Sequence, residues 1–300
     1  TKVWREVSSL GQDLKKLQPV IGSRIESQIA ILLDWSSWWA LELDSRPSTR
    51  LSQREALLDY YRPLSAAGYS IDFAHPEQDL SKYKLVIAPS LYLISDLGIE
   101  QIKSAASLGT SFVFGKFSGA VDSEEGVRIG GHLVGLRDVF GCYTEEWHPL
   151  LPGESLELKI GAVRGEVTGW TEHIRLLPGS AVEATFESGD LAGLPAIVSN
   201  QLPKAKTWYL GCTPNRGMLA EFLERTAIES GVAPVVLNLP KGMEVTKRVN
   251  ETGSYLFLIN HSNEDKLVEI GQASYDLISQ ESLEHAVPVG AGFVRVLKID

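Results

Sequence analysis

Residues 29–42 read Ile29-Ala30-Ile31-Leu32-Leu33-Asp34-Trp35-Ser36-Ser37-Trp38-Trp39-Ala40-Leu41-Glu42. An apolar run of strand length ends in an aspartate, and three of the chain's seven tryptophans come within the next five residues. A continuous apolar strand without alternation belongs in a sheet covered on both faces. The residues just past its end lie at the edge where open α/β sheets place ligands and contacts. Tryptophan is costly to leave in water and is enriched at binding surfaces. The loop after this strand, Asp34 with Trp35, Trp38 and Trp39, is therefore the first candidate site. It either closes its own core or is offered to a second protein or a sugar.

Working outward, apolar Val3, Val7, Leu10, Leu14 and Leu17 recur at helical spacing and predict a helix over 2–17. Pro19 and Gly22-Ser23 end it, and Ile25 to Leu33 is expected to be one strand. The tryptophan loop is expected to run on through Asp44-Ser45-Arg46-Pro47-Ser48. A helix is predicted from about Ser52 to Ala67, with Pro63 kinking it and Gly68 capping it. Strands are predicted at Tyr69 to Ala74, Tyr83 to Ala88 and Thr110 to Phe114, with a helix over about Gly98 to Leu108. A short helix at 134–140 precedes alternating runs at 156–160, 181–186 and 195–199, which read as antiparallel strands. Thr207 to Cys212 reads as a strand, and Met218 to Ser230 as a helix. The fold class expected is α/β: a flavodoxin-like doubly wound parallel sheet carrying an antiparallel insertion.

Pro234, Pro240 and Gly242 mark a boundary between Gly231 and Gly242. Beyond it, strands at 244–249, 254–260, 266–270, 276–278 and 292–299 predict a small antiparallel sandwich. Turns are expected at Asn250-Glu251-Thr252-Gly253 and His261-Ser262-Asn263-Glu264-Asp265.

Composition narrows the function classes. A net charge of −10 argues against nucleic acid and anionic membrane as partners. No run of 18 apolar residues predicts a membrane span. The start, Thr1-Lys2-Val3-Trp4-Arg5-Glu6, is unlike a signal peptide and lacks Met, so a fragment or processed chain is expected. Two cysteines, Cys142 and Cys212, make no disulfide framework and point to a reducing compartment, the cytoplasm.

The sheet edge offers little catalytic chemistry. The slot after the first strand holds no phosphate-binding glycines, so no dinucleotide is expected. Gly115-Lys116-Phe117-Ser118-Gly119 comes after a strand where a nucleophile elbow would sit, but Lys116 and Phe117 fall at the turn and Ser118 comes late. The six histidines are scattered and neither cysteine begins a Cys-x-x-Cys pair, so no metal and no cofactor is expected. Glu145-Glu146 and Glu124-Glu125 are adjacent pairs, which a strand would point to opposite faces.

Several segments in this order resemble glycoside hydrolase family 42, the β-galactosidases. They are 29–42, Tyr60-Tyr61 with Leu64 and Gly68, Asp79 to Tyr83, and Val86 to Leu93. Phe117-Ser118-Gly119 with Val121-Asp122, Leu136 to Gly141 and Glu145-Glu146 continue the series. The resemblance implies a division of labour: a (β/α)₈ barrel bearing the acid/base and nucleophile glutamates of a retaining reaction, a middle amidotransferase-like domain lacking its triad that mediates trimer formation, and a closing β-sandwich. On that resemblance residues 1–20 are the last barrel helix and linker, 21–235 the class I glutamine amidotransferase-like trimerisation domain, and 236–300 the sandwich. No catalytic glutamate of the family maps onto this chain, and the barrel, which needs about 250 residues, is absent. The implied function is the non-catalytic assembly portion of a homotrimeric β-galactosidase. Asp34, Trp35, Trp38 and Trp39 would form a subunit contact or wall a galactoside site on a neighbouring barrel. The alternatives are a stand-alone carbohydrate-binding protein or an amidotransferase-like hydrolase using Ser118.

Overall fold

The structure is a computed structural model of the 300-residue chain, and it describes residues 1–44 and 47–299. Ser45 and Arg46, within the expected run of the tryptophan loop, lie outside the described residues. The backbone divides into two compact units. One comprises 1–27, 64–70 and the residues from 233 onward; the other comprises 28–63 and 71–232.

The first unit begins with helix α1 (Lys2–Lys16), capped by the Thr1 hydroxyl, which accepts the Trp4 N–H at 3.3 Å. Strand β1 (Arg24–Ile25) comes after a short 3₁₀ turn at 18–20. In the second unit, β2 (Ile29–Leu32) leads into helix α2 (Trp35–Glu42) and then α3 (Gln53–Ala66), whose last three residues are counted with the first unit. Then come β3 (Ile71–Ala74), β4 (Leu85–Ala88), α4 (Asp96–Leu108), β5 (Ser111–Gly115) and the single turn α5 (Arg137–Phe140). Strands β6 (Cys142–Pro149), β7 (Leu156–Ile160), β8 (Val163–Val167) and β9 (Trp170–Leu176) succeed it. After them run β10 (Ser180–Phe186), β11 (Pro195–Gln201), β12 (Lys206–Leu210) and α6 (Arg216–Glu229). The chain then returns to the first unit as β13 (Met243–Asn250), β14 (Gly253–Asn260), β15 (Lys266–Glu269), β16 (Ser274–Asp276), β17 (Glu281–Leu283), β18 (Ala286–Val289) and β19 (Val294–Ile299).

The second unit is built on a nine-stranded mixed sheet in the order β3-β2-β4-β5-β12-β11-β10-β7-β8. Pairings from β3 to β12 are parallel, and those from β12 to β8 are antiparallel. Every residue of β2, β4 and β5 is buried, as continuous apolar runs in a sheet covered on both faces require. The core on one side gathers Leu32, Val86, Ala88, Phe112, Phe114, Phe140 and Tyr209. Glycine is required at Gly115, the last residue of β5, because a Cβ there would lie 2.0 Å from the Pro89 carbonyl oxygen. The chain after β4 thereby lies directly on the end of β5.

In the first unit a six-stranded antiparallel sheet runs β1-β13-β14-β19-β16-β17, accompanied by the two-stranded sheet β15-β18. Val268, Val287 and Val289 from the small sheet share a core with Val245, Leu256, Leu258 and Leu297 of the large one.

Several expectations need correction. The strand expected at Ile25 to Leu33 is two strands. Ile25 pairs with Arg248 in the antiparallel sheet, whereas Ile29–Leu32 lies in the mixed sheet. The tryptophan segment is helix α2, not a loop. His261 to Asp265 does not close a hairpin between its flanking strands, because β15 pairs with β18. Asn260 holds that loop, donating from Nδ2 to the carbonyls of Glu264, Val289 and Gly290. The strand expected at 276–278 ends at Asp276, whose carboxylate accepts the Ile278 N–H and turns the chain.

Candidate functional site

Asp34 starts α2. Its backbone is extended (φ −131°, ψ 122°) and its Oδ1 accepts the Ser36 N–H at 2.9 Å, the arrangement that satisfies a free amide at a helix N-terminus. His75 Nε2 lies 3.5 Å from the same oxygen. Asp34 is only 8% exposed, and its Oδ1 is engaged in starting the helix.

Ser37, Ala40 and Leu41 form the inward side of α2. Ser37 Oγ accepts the Leu93 N–H at 3.2 Å, and Ala40 shares a small core with Leu93, Ala120 and Val121. With that side fixed, i, i+3 and i+4 spacing gathers Trp35, Trp38 and Trp39 into one aromatic group. Trp35 and Trp38 stack with centroids 5.1 Å apart and planes 17° apart, and Trp39 lies 6.4 Å from Trp35. Trp35 is 57% exposed and Trp39 64%, while Trp38 is half-buried. A buried tryptophan removes roughly 150–250 Å² from water. At about 25 cal/mol per Å² the exposed parts of the two rings forgo about 4.5–7.5 kcal/mol of hydrophobic stabilisation.

The strand-end turn after β5 has the backbone shape of a nucleophile elbow without a nucleophile. Phe117 occupies it with φ 65°, and its ring packs edge-on against Trp147 and Trp170 at 4.9 and 5.4 Å. Ser118 is fully buried, and its Oγ accepts the Leu91 N–H at 3.0 Å. The hydroxyl that a hydrolase reading through Ser118 requires is therefore buried and already engaged.

Below the turn lies a buried group that sequence reasoning missed. Glu172 of β9 accepts the Phe117 N–H at 2.7 Å, the Thr144 hydroxyl at 2.9 Å and the Tyr209 hydroxyl at 2.7 Å. Burial drives its carboxyl above the usual carboxylate range, only partly offset by these hydrogen bonds and by the Lys116 ammonium. Burial likewise holds the Lys116 amine below the ordinary lysine range. Cys142 and Cys212 are buried free thiols, and burial pushes Cys212 up to about 12. Among the described residues no three His, Cys, Asp or Glu side chains converge as a metal-binding group. No helix among them is long and apolar enough to cross a membrane.

Glu145 and Glu146 both lie on β6, where Glu145 pairs with Arg175 at 2.6 Å. They form no pair across a cleft.

Comparison with known proteins identifies the family to which the chain belongs. Residues 27–233 match the model of the β-galactosidase trimerisation domain, and residues 242–298 that of the β-galactosidase C-terminal domain. The β-galactosidase LacZ of Heyndrickxia coagulans is 35% identical over 296 residues, covering 99% of this chain and 44% of the relative. A β-galactosidase of an Arthrobacter species is 36% identical over 292 residues, covering 97% of this chain and 41% of the relative. Among solved structures, the β-galactosidase from Bacillus circulans sp. alkalophilus superposes with a TM-score of 0.94 at 30% identity, covering 100% of this chain and 45% of that one. The enzyme from Rahnella sp. R3 superposes with a TM-score of 0.89 at 29% identity, covering 100% of this chain and 45% of that one. The chain belongs to the glycoside hydrolase family 42 β-galactosidases and carries their trimerisation and C-terminal domains. It spans less than half the length of each of these four relatives.

Proposed function

We propose that this chain is the assembly portion of a cytoplasmic, trimeric β-galactosidase, and that Trp35, Trp38 and Trp39 form its contact with a neighbouring subunit. In the intact enzyme, hydrolysis of terminal β-D-galactosyl residues with retention belongs to a barrel outside these residues. The observation that carries the reading is the pair of mostly exposed tryptophans on a helix whose other side is fixed to the core. Aromatic anchors of this kind dominate interface energies. In a cyclic trimer they would seat on a different surface of the next subunit. From there the stacked rings could also wall a neighbour's galactoside site.

Two further features support the proposal. Helix α1 leaves Val3, Trp4, Val7, Leu10 and Leu14 exposed along one stripe, which suits a face packed against the rest of a longer enzyme. The strand order β3-β2-β4-β5-β12, all parallel, corresponds to the flavodoxin-like order and supports the amidotransferase-like reading. With a net charge of −10, neither nucleic acid nor an anionic membrane fits as partner.

Acrylamide quenching of tryptophan fluorescence tests the contact. As the chain is concentrated, a protected fraction should grow, and it should vanish in a Trp35→Ser, Trp39→Ser double variant. Quenching that is independent of concentration in both proteins would remove the tryptophans from the interface.

A further inference from the structure

The α/β unit holds a second concavity that the proposed interface does not use. A cavity of about 630 Å³ opens where the chain leaves the ends of β4, β5 and β12, with Ser90, Lys116 and Thr213 among its lining residues. Open α/β sheets present ligand sites at this end of their strands. The volume lies within the range of small-molecule sites.

The lining supports one chemistry better than the others. Lys116 donates to the Thr213 hydroxyl, and the aromatic side chains of Tyr60 and Trp170 add apolar surface. Trp170 is half-buried, held edge-on by Phe117, and its indole N–H finds no acceptor. Against the two cations Lys116 and Arg50 stand the carboxylates of Glu55, Asp59, Glu154 and Glu166. Arg54 and Arg216 at the margin pair with two of these carboxylates, so the lining carries no net positive charge to recruit an anion. Three of the four carboxylates are already engaged, which disfavours a bare cation: Glu154 accepts the Leu151 N–H at 2.7 Å, Glu55 pairs with Arg54 at 3.0 Å, and Asp59 lies 3.5 Å from Arg216. What remains is a neutral ligand that both donates and accepts hydrogen bonds and has an apolar face for an aromatic ring.

We propose that this cavity is an accessory saccharide site for a neutral mono- or disaccharide. The sugar ring lies against Trp170, and its hydroxyls bridge Lys116 and Arg50 on one side and Glu166 on the other. The site is distinct from the tryptophan face of α2 and does not depend on trimer formation.

Titration calorimetry on the whole chain tests it, with galactose, lactose and glucose as ligands and inorganic phosphate and glutamate as controls. At least one saccharide should give a saturable heat. Its affinity should fall about tenfold in Lys116→Met and in Glu166→Ala, the loss of one charge-assisted hydrogen bond. Glu166 is exposed, so that variant keeps the fold, and circular dichroism checks both. Trp35→Ser should bind as the parent does. No saccharide binding, binding of phosphate or glutamate instead, or saccharide binding that survives both cavity variants or is lost in Trp35→Ser would each overturn the assignment.

Discussion

Replacing Glu172 by leucine removes the acceptor for three buried donors at once. The Phe117 N–H and the Thr144 and Tyr209 hydroxyls all point at this carboxylate. The two hydroxyls lie 3.2 Å apart, so one can donate to the other. Two donors are then left without an acceptor, the Phe117 amide and one hydroxyl proton. A buried unsatisfied donor costs about 1–3 kcal/mol. Leucine also removes the desolvation cost of the carboxyl, so a net destabilisation of about 2–4 kcal/mol is expected. Glu172→Gln keeps an acceptor for Phe117 and should cost much less. It should also change the pH dependence. Because burial raises the native carboxyl above its unfolded value, the native state holds the proton more tightly. Stability should therefore decline as pH rises from the ordinary carboxylate range through the native value. The glutamine variant cannot ionise and should lose that part of the decline. Urea unfolding from pH 5 to 8, monitored by tryptophan fluorescence, reads this well, because six of the seven tryptophans lie in the α/β unit. A leucine variant within about 0.5 kcal/mol of the parent, or a glutamine variant with the parent's pH slope, would refute the reasoning.

In the first unit, Arg295 Nη1 lies 2.7 Å from the fully buried Asp276 carboxylate, so Arg295→Met should cost about 3 kcal/mol by stranding that charge, visible as a lowered Tm in circular dichroism. An unchanged Tm would show that the neighbouring Ser279 hydroxyl and Ile278 amide suffice. Native Cys142 and Cys212 should resist Ellman's reagent at pH 8, because both are buried and their thiols are held protonated, and both should react once guanidinium unfolds the chain. Prompt labelling of the native protein would contradict that burial.

The fully apolar strands β2, β4 and β5 were legible because burial on both faces leaves an uninterrupted run. Helix α2 was not, because apolar residues occupy both of its sides: Ala40 and Leu41 face the core while Trp35 and Trp39 face water. Its signals were local, the capping aspartate and the i, i+3, i+4 tryptophans. Strands β6 and β9 escaped because they carry Glu145, Glu146 and Glu172 in polar surroundings, and only the fold shows that Glu172 is the buried one. The cavity was invisible for a related reason. Arg50 precedes α3, Tyr60 lies on it, Lys116 comes just after β5 and Trp170 opens β9, and only the fold brings these four together. The absence of a nucleophile at the elbow was legible, since Phe117 stands where a serine or cysteine would have to be.

Sedimentation equilibrium of the purified chain across a wide concentration range tests the assembly claim most directly. Association toward a species near three times 32.9 kDa is expected, weakened in the Trp35→Ser, Trp39→Ser variant. A strict 32.9 kDa monomer at high concentration would contradict the account.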